Sequence, residues 1–410
     1  MRQPKSIAKY LDRYAEAETQ ALETFPGIAI DNILVVPFYR ETTAFPQRFV
    51  AGDLGRTQTL VIAVINQPPG PEEPQNRALA DFFLQREVIW RNDNLTLCRE
   101  NIEGLHWLVV DRFSAGNTID SQYGVGLARK LGCDLAAALV ARGRCNSEWI
   151  YTTDADAHLP TNYFSAQSTL GSSEASAAVF ATKHISPGGN TDVYRATQLY
   201  ERALDYYVCG LHWAGSPYAF PTIGSAVAIR AKAYCEARGF PKKAGGEDFY
   251  LLNKLAKLGA VSYIREIQIA IESRVSTRVP FGTGPAVEKI LALANPDEHF
   301  TYYAPKVFLA LRQWISHIPN IWGCIQQQEN PLANLPDFIQ NALNQANIDE
   351  LWGHIERQIK TAGECERAIH HWFDAFQTLK FIRRLQDSCY PALPLKTCLE
   401  QAPFMQECTT

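Results

Sequence analysis

The sequence predicts an α/β protein, in which a mostly parallel β-sheet is flanked by helices and followed by an α-helical C-terminal region. Three observations predict it. Apolar, β-branched runs of strand length recur at 32–37, 60–65 and 105–111 and from Trp149, and they are continuous rather than alternating, as strands buried on both faces are. Helical patterns stand between them, as parallel connections require. From about Pro285 onward only helical patterns remain.

In chain order, residues 6–24 carry helical spacing and end before Phe25-Pro26-Gly27. Asn32–Pro37 reads as a buried strand opening into Phe38-Tyr39-Arg40-Glu41, and Leu60–Ile65 as a second ending in Asn66-Gln67. A Pro/Glu-rich loop at 68–75 leads to a helix expected over Ala78–Trp90. Leu105–Asp111 is a third strand, and Tyr123–Ala141 a long helix begun by Gly124 and Gly126. The run Trp149-Ile150-Tyr151-Thr152-Thr153 ends abruptly in Asp154-Ala155-Asp156. Later strands are expected at 176–183, 226–229, 261–264 and 267–271, with helices at 193–209, 231–237 and Phe249–Leu258. The stripe Cys365, Ile369, Trp372, Phe373, Phe376, Leu379 and Ile382 has helical spacing and reads as packing. The expected division is a helical segment 1–29, a catalytic domain 30–284 with halves 30–156 and 157–284, and a helical region 285–410.

Composition excludes several classes. A chain of 410 residues with formal net charge −4 and no long basic run has no electrostatic footprint for nucleic acid. No stretch approaches the ~20 apolar residues of a membrane span, and no apolar signal core opens the chain, so a cytoplasmic protein is expected. The ten cysteines include no Cys-x-x-Cys pair, which argues for reduced thiols over zinc or a disulfide framework.

The chemistry gathers at acids. If the strand from Trp149 continued, Asp154 and Asp156 would point the same way, since i and i+2 share a face. Two hard carboxylates suit Mg²⁺ or Mn²⁺, although Asp-x-Asp alone is also a common surface tripeptide. Glu247 and Asp248 open the helix Phe249–Leu258. There, acids offset unsatisfied N–H groups and the positive dipole end, with or without a catalytic role. Ligands of such sheets bind outside the carboxyl ends of the strands, where Pro37–Glu41, Asn66, Asp154 and Asp156 fall.

These residues resemble a family. Ile33-Leu34-Val35-Val36-Pro37-Phe38-Tyr39-Arg40-Glu41 is similar to the opening strand of family-2 glycosyltransferases, and Gly126-Leu127-Ala128-Arg129-Lys130-Leu131-Gly132 to their Gly-x-x-x-Ala-Arg-Asn-x-Gly helix. Asp154-Ala155-Asp156 resembles their Asp-x-Asp motif, and Gly245-Gly246-Glu247-Asp248 their acceptor helix. The resemblance spans roughly residues 30–284. It implies a glycosyltransferase A-type fold and a hexosyltransferase-type activity, moving one sugar from a nucleoside-diphosphate donor to a small-molecule or glycan acceptor hydroxyl with a divalent metal, Mn²⁺ or Mg²⁺. It implies that Asp156 holds the metal while Asp154 reaches the ribose or a metal-bound water. Pro37, Tyr39, Glu41 and Asn66 would line the nucleoside pocket. Arg129 would face the nucleotide, and Arg274 or Arg278 the diphosphate. Asp248 would be the base, with Glu247 hydrogen-bonding acceptor or sugar hydroxyls.

The sequence departs from the family pattern in places. Lys130 replaces an Asn, Arg40 stands where an Asn precedes Glu41, and Asn66-Gln67 occupies the place of an Asp that reads the base. No His lies between His212 and His299 to supply a further metal ligand, and His158 and His184 read as structural. None of the eight Trp follows an Arg, so the signature of processive synthases is missing. Alternatives remain at this stage: a retaining transferase on the same scaffold, a sugar-nucleotide nucleotidyltransferase, or a silent nucleotide-sugar binding protein. Self-association into a homo-oligomer is likewise open.

Overall fold

The computed structural model describes residues 4–165, 170, 174–186, 189–222, 226–273 and 282–406. Arg274 and Arg278 lie outside the described residues. The chain divides into two compact units, one of residues 1–194 and 222–285, the other of 195–221 and 286–410. Residues 195–221, which the sequence reading placed in the acceptor half, belong to the second unit.

The first unit is built on a ten-stranded sheet. Its strands are β1 (Asn32–Phe38), β2 (Thr59–Asn66), β3 (Glu87–Asn92), β4 (Leu95–Arg99), β5 (Leu105–Arg112), β6 (Trp149–Thr152), β7 (Ala157–His158), β8 (Ala177–Ile185), β9 (Val227–Arg230) and β10 (Val261–Glu272). They lie in the order β3-β4-β5-β2-β1-β6-β9-β8-β10-β7. Only β4, β9 and β7 oppose the common direction, so the sheet is mostly parallel, as the continuous apolar runs predict. Strand order reverses between β1 and β6, and such a switch point opens a crevice at the carboxyl ends of the two strands.

Helices cover both faces of this sheet. Successive side chains of a strand alternate sides. Leu34, Val36 and Phe38 share a core with Phe45 and Phe49 of α2 (Ala44–Ala51) and Leu79 and Phe83 of α3 (Pro74–Leu84). The opposite face, with Val35, receives α4 (Gly124–Ala141). There Gly132 makes close packing achievable, since a Cβ on it would come within 2.3 Å of Val35 Cγ1.

The outer side of α4 is covered by α1 (Lys5–Arg13) and by α6 (Ala231–Glu236), the helix after α5 (Thr191–Trp213). A buried ion pair fixes them. Lys130 Nζ lies 2.6 Å from Asp134 Oδ2 and donates to the Tyr10 hydroxyl at 2.9 Å. Asp134 Oδ1 accepts from Tyr10 and Tyr234, and Oδ2 from the Glu16 amide. Burial first, then the Asp134 charge, pushes both phenols far above their usual range, so they stay protonated donors. Lys130, where the family pattern has Asn, is therefore the anchor of the N-terminal segment.

Several expected elements differ. The helix over 6–24 is α1 followed by a 3₁₀ turn at Ala17–Thr24, because the Glu16 amide is drawn to Asp134. The helix expected to reach Trp90 stops at Leu84, and 87–90 start the β3–β4 hairpin, whose turn holds Asp93 at φ 48°. The two strands expected at 261–271 are one strand, β10, with an irregular register between Ile264 and Gln268. The helix expected from Phe249 starts two residues earlier as α7 (Glu247–Leu255).

In the second unit, α5 from Arg195 onward packs with helices α10 (Pro305–Gln326), α11 (Asp337–Asn344), α12 (Ile348–Gln358), α13 (Ala362–Trp372), α14 (Ala375–Ser388) and α15 (Leu395–Gln401), numbered after α8 (Thr283–Leu291) and α9 (Pro296–His299). A two-stranded ribbon, β11 (Thr301–Tyr302) with β12 (Leu393–Pro394), interrupts the expected all-helical region. The stripe from Cys365 to Ile382 spans two helices, not one. Asp374 caps α14 by accepting from the Phe376 and Gln377 amides. Among the described residues eight cysteines are free, whereas Cys209 is disulfide-bonded, which corrects the expectation of reduced thiols throughout. No described helix is long and apolar enough to cross a membrane. A cavity of about 460 Å³ between α11 and α14 is lined by Phe338, Asn341, Arg384 and Cys389, and none of the predicted site residues lines it.

Candidate active site

The site is built where β1, β2 and β6 end side by side. β6 stops at Thr152, so the strand does not carry Asp154 and Asp156 as expected. The Thr153 amide still bonds to Val35 O at 3.1 Å; the chain then turns, with the Ala157 amide on Asp154 O. β7 follows, antiparallel to β10 through Ala157↔Ile271 and His158↔Ala270. The two aspartates therefore sit before and within a tight turn at the sheet's lip, both half-buried.

Facing them is the N-terminus of α7. The loop before it is docked on the start of α4, where the Gly126 amide donates to Lys243 O at 3.0 Å. A Cβ on Gly126 would come within 2.4 Å of that same oxygen, so only glycine permits the approach. Gly246 precedes the helix at φ 71°, a left-handed conformation suited to glycine.

One side chain joins these pieces. Arg129, on α4 and only 3% exposed, donates from Nε to Glu247 Oε1 at 2.8 Å, from Nη1 to Thr152 Oγ1 at 3.2 Å, and from Nη2 to Asp154 Oδ1. Burial alone would lower its pKa. The Asp154 and Glu247 charges, then that of Asp248, outweigh burial and raise it, so the guanidinium is a fixed cation. The resemblance would turn Arg129 toward a nucleotide; here it is an internal bridge between protein groups. Glu247 is buried, with its side chain 6% exposed, whereas Asp154 is 45% exposed and reachable from solvent. Asp248 is half-buried in the first turn of α7, its Oδ1 accepting from the Phe249 amide at 2.7 Å.

The other predicted residues lie at neighbouring strand ends. Pro37 is buried near the end of β1, while Tyr39 and Glu41 are half-buried beyond it. Between them Arg40 bends the chain at φ 54°, lies 5.1 Å over the Tyr39 ring and bonds Glu73 at 2.8 Å. Asn66 donates from Nδ2 to Phe38 O at 3.0 Å, and buried Asn76 bonds both Asn66 O and the Arg40 amide. Asn66 thus secures the loop that carries Tyr39 and Glu41.

Sequence reasoning missed three groups. Thr152 shares Arg129, and Arg48 of α2 and Glu272 of β10 brace the aspartate turn. The only available signal was weak: a lone Arg in the apolar segment Ala44–Ala51, and a Glu ending an apolar strand.

Among the described residues no three His, Cys, Asp or Glu side chains converge into a metal cage. The carboxylates at the turn are Asp154, which is paired with Arg129, and Asp156. One or two hard carboxylates, with substrate phosphates and water completing the shell, fit Mg²⁺ or Mn²⁺ rather than zinc.

No family model matches this chain, and no curated protein matches it. Among solved structures, the crystal structure of S. aureus TarS 1-349 in complex with UDP is similar over 83% of this chain and 89% of that chain, at 11% identity and a TM-score of 0.36.

Proposed function

We propose that this chain is a metal-assisted glycosyltransferase of the A-type fold that moves one sugar from a nucleoside-diphosphate donor to an acceptor hydroxyl. The observation carrying this reading is the Arg129 bridge. It holds Asp154, just past the end of β6, and the Glu247-Asp248 start of α7 together at a strand-order switch point, although they are about ninety residues apart in sequence. A donor would lie over the carboxyl ends of β1 and β6. Tyr39 and Glu41 would bound the nucleoside on the loop that Asn66 and Asn76 secure. Asp154 would turn its exposed face to the ribose. Asp156 would hold the divalent ion, which neutralises the charge of the departing diphosphate. Asp248 would take the acceptor proton as the acceptor oxygen bonds the anomeric carbon and the bond from that carbon to the phosphate oxygen breaks. Glu247, held by Arg129, would orient the start of α7 and accept a hydrogen bond from acceptor or sugar through its second oxygen.

The test is calorimetry of the full chain with UDP, GDP and ADP and their sugar conjugates, with Mn²⁺ and with chelator. One of these nucleotides should bind in a Mn²⁺-dependent manner, and Asp156→Ala should abolish that dependence while leaving the thermal midpoint unchanged. Equal affinity with chelator and with Mn²⁺ in the wild type refutes the metal-assisted reading.

A further inference from the structure

We infer that Arg48 is a positioning residue for Asp156, fixing the turn that presents this carboxylate; the inference rests on the reading of the site given above. Arg48 lies on α2, a helix packed into the core of the first unit by its own aromatic side chains. Phe45 and Phe49 stack with centroids 6.0 Å apart, and Phe49 meets Trp107 edge-on at 5.9 Å. From this base, Arg48 Nη2 donates to Ala155 O at 3.4 Å and to Ala157 O at 3.3 Å, the carbonyls on either side of Asp156. Its Nη1 reaches Glu272 Oε1 at 3.5 Å, and the same oxygen lies 2.9 Å from His158 Nε2. Residues on both flanks of Asp156 are thus tied to two separate elements, α2 and the end of β10.

The three Arg48 contacts are long and individually weak. Their arrangement matters more than their strength. A planar guanidinium spans two carbonyls and a carboxylate at fixed angles, which a single ammonium does not reproduce. A turn without such bracing would present its carboxylate over a range of positions, and a misplacement of about 1 Å costs up to ~10²-fold in function. The Arg48 side chain is 31% exposed, so substitution leaves a position that water can refill instead of a sealed cavity.

The experiment measures binding of UDP, GDP and ADP with Mn²⁺ to wild type, Arg48→Lys, Arg48→Ala and Glu272→Ala, together with thermal midpoints and, for whichever donor turns over, separate KM values for donor and acceptor. Positioning predicts that both Arg48 variants stay folded and lose nucleotide affinity at least about tenfold. Donor KM rises and acceptor KM does not, and Glu272→Ala shows a smaller loss in the same sense. Full rescue by Arg48→Lys would mean that charge alone matters and overturns the inference, as does unchanged affinity in a folded Arg48→Ala. If Arg48→Ala unfolds, the Lys and Glu272→Ala results decide. Absence of any nucleotide binding by the wild type overturns the functional reading itself, and this inference with it.

Discussion

Replacing Arg129 by methionine removes one cation and leaves two carboxylates. The magnitude follows from their exposure. The Glu247 side chain is 6% exposed, and stripping the partner from a buried ion pair costs ~3–5 kcal/mol. Asp154, at 45% exposed, is rehydrated when its partner leaves, so its share falls in the ~0–1 kcal/mol range of surface pairs. Met fills much of the volume of the Arg stem, so the cavity contribution is small. At roughly 2–4 °C per kcal/mol for a unit of this size, the first unit should melt on the order of 10 °C lower. The companion variant Arg129→Met/Glu247→Gln removes the stranded charge. It should recover at least ~2 kcal/mol of the loss, a coupling well outside the scatter of independent sites. Urea denaturation followed by fluorescence of buried Trp107 and Trp149 reads both quantities. A cost of Arg129→Met below ~1 kcal/mol, or a double variant equal to the sum of the single ones, would refute the bridge as the element joining the two sides of the site.

Two further outcomes are expected. Asp248→Asn keeps an oxygen that can accept from the Phe249 amide, so the chain should fold and bind donor normally while transfer falls at least ~100-fold in single-turnover assays; near-wild-type transfer refutes the base role. Burial, helped by Arg99, lowers the pKa of His106, so the unfolded chain takes up this proton more readily than the folded one. The stability gained from the neutral ring is therefore present above pH ~6.5 and lost as pH falls below it, and His106→Gln should show a shallower acid-side decline in denaturation midpoints at pH 7.5, 6.5 and 5.5.

Much of the frame was legible in the sequence, for reasons that can be stated. β1, β2 and β5 are continuous apolar runs because both their faces are covered, and their short length and β-branched residues separate them from a buried helix. The β3–β4 hairpin was not legible. No Gly or Pro separates Leu84 from Glu87, so no breaker in the sequence marks the end of the helix. The acids of the site stood out because Asp154 and Asp156 follow an apolar run, and Glu247 and Asp248 open a helix behind a Gly-Gly pair. What connects them did not, since Arg129 meets Glu247 across 118 positions and no local periodicity encodes that pairing. Lys130 and Asp134 form an i, i+4 pair inside an apolar helix, and only the fold shows that the pair faces Tyr10 and Tyr234 rather than water.

The discontinuous second unit has a consequence for how the chain is made. Tyr206, Cys209, Leu211 and Ala214 of α5 emerge from the ribosome long before their packing partners Phe308, Trp314, Ile382 and Phe404. During synthesis the residues of the first unit are complete by Pro285, while the apolar side of α5 still waits for more than a hundred residues of later chain. Nascent chains stalled in this interval carry an uncovered apolar helix, the kind of surface on which chaperones act and from which aggregation starts. Closure of that core requires contacts separated by one to two hundred positions, which makes it a slow step by topology alone. Translation speed across residues 286–404 therefore bears on the yield of folded protein, although none of the carboxylates of the site is encoded there.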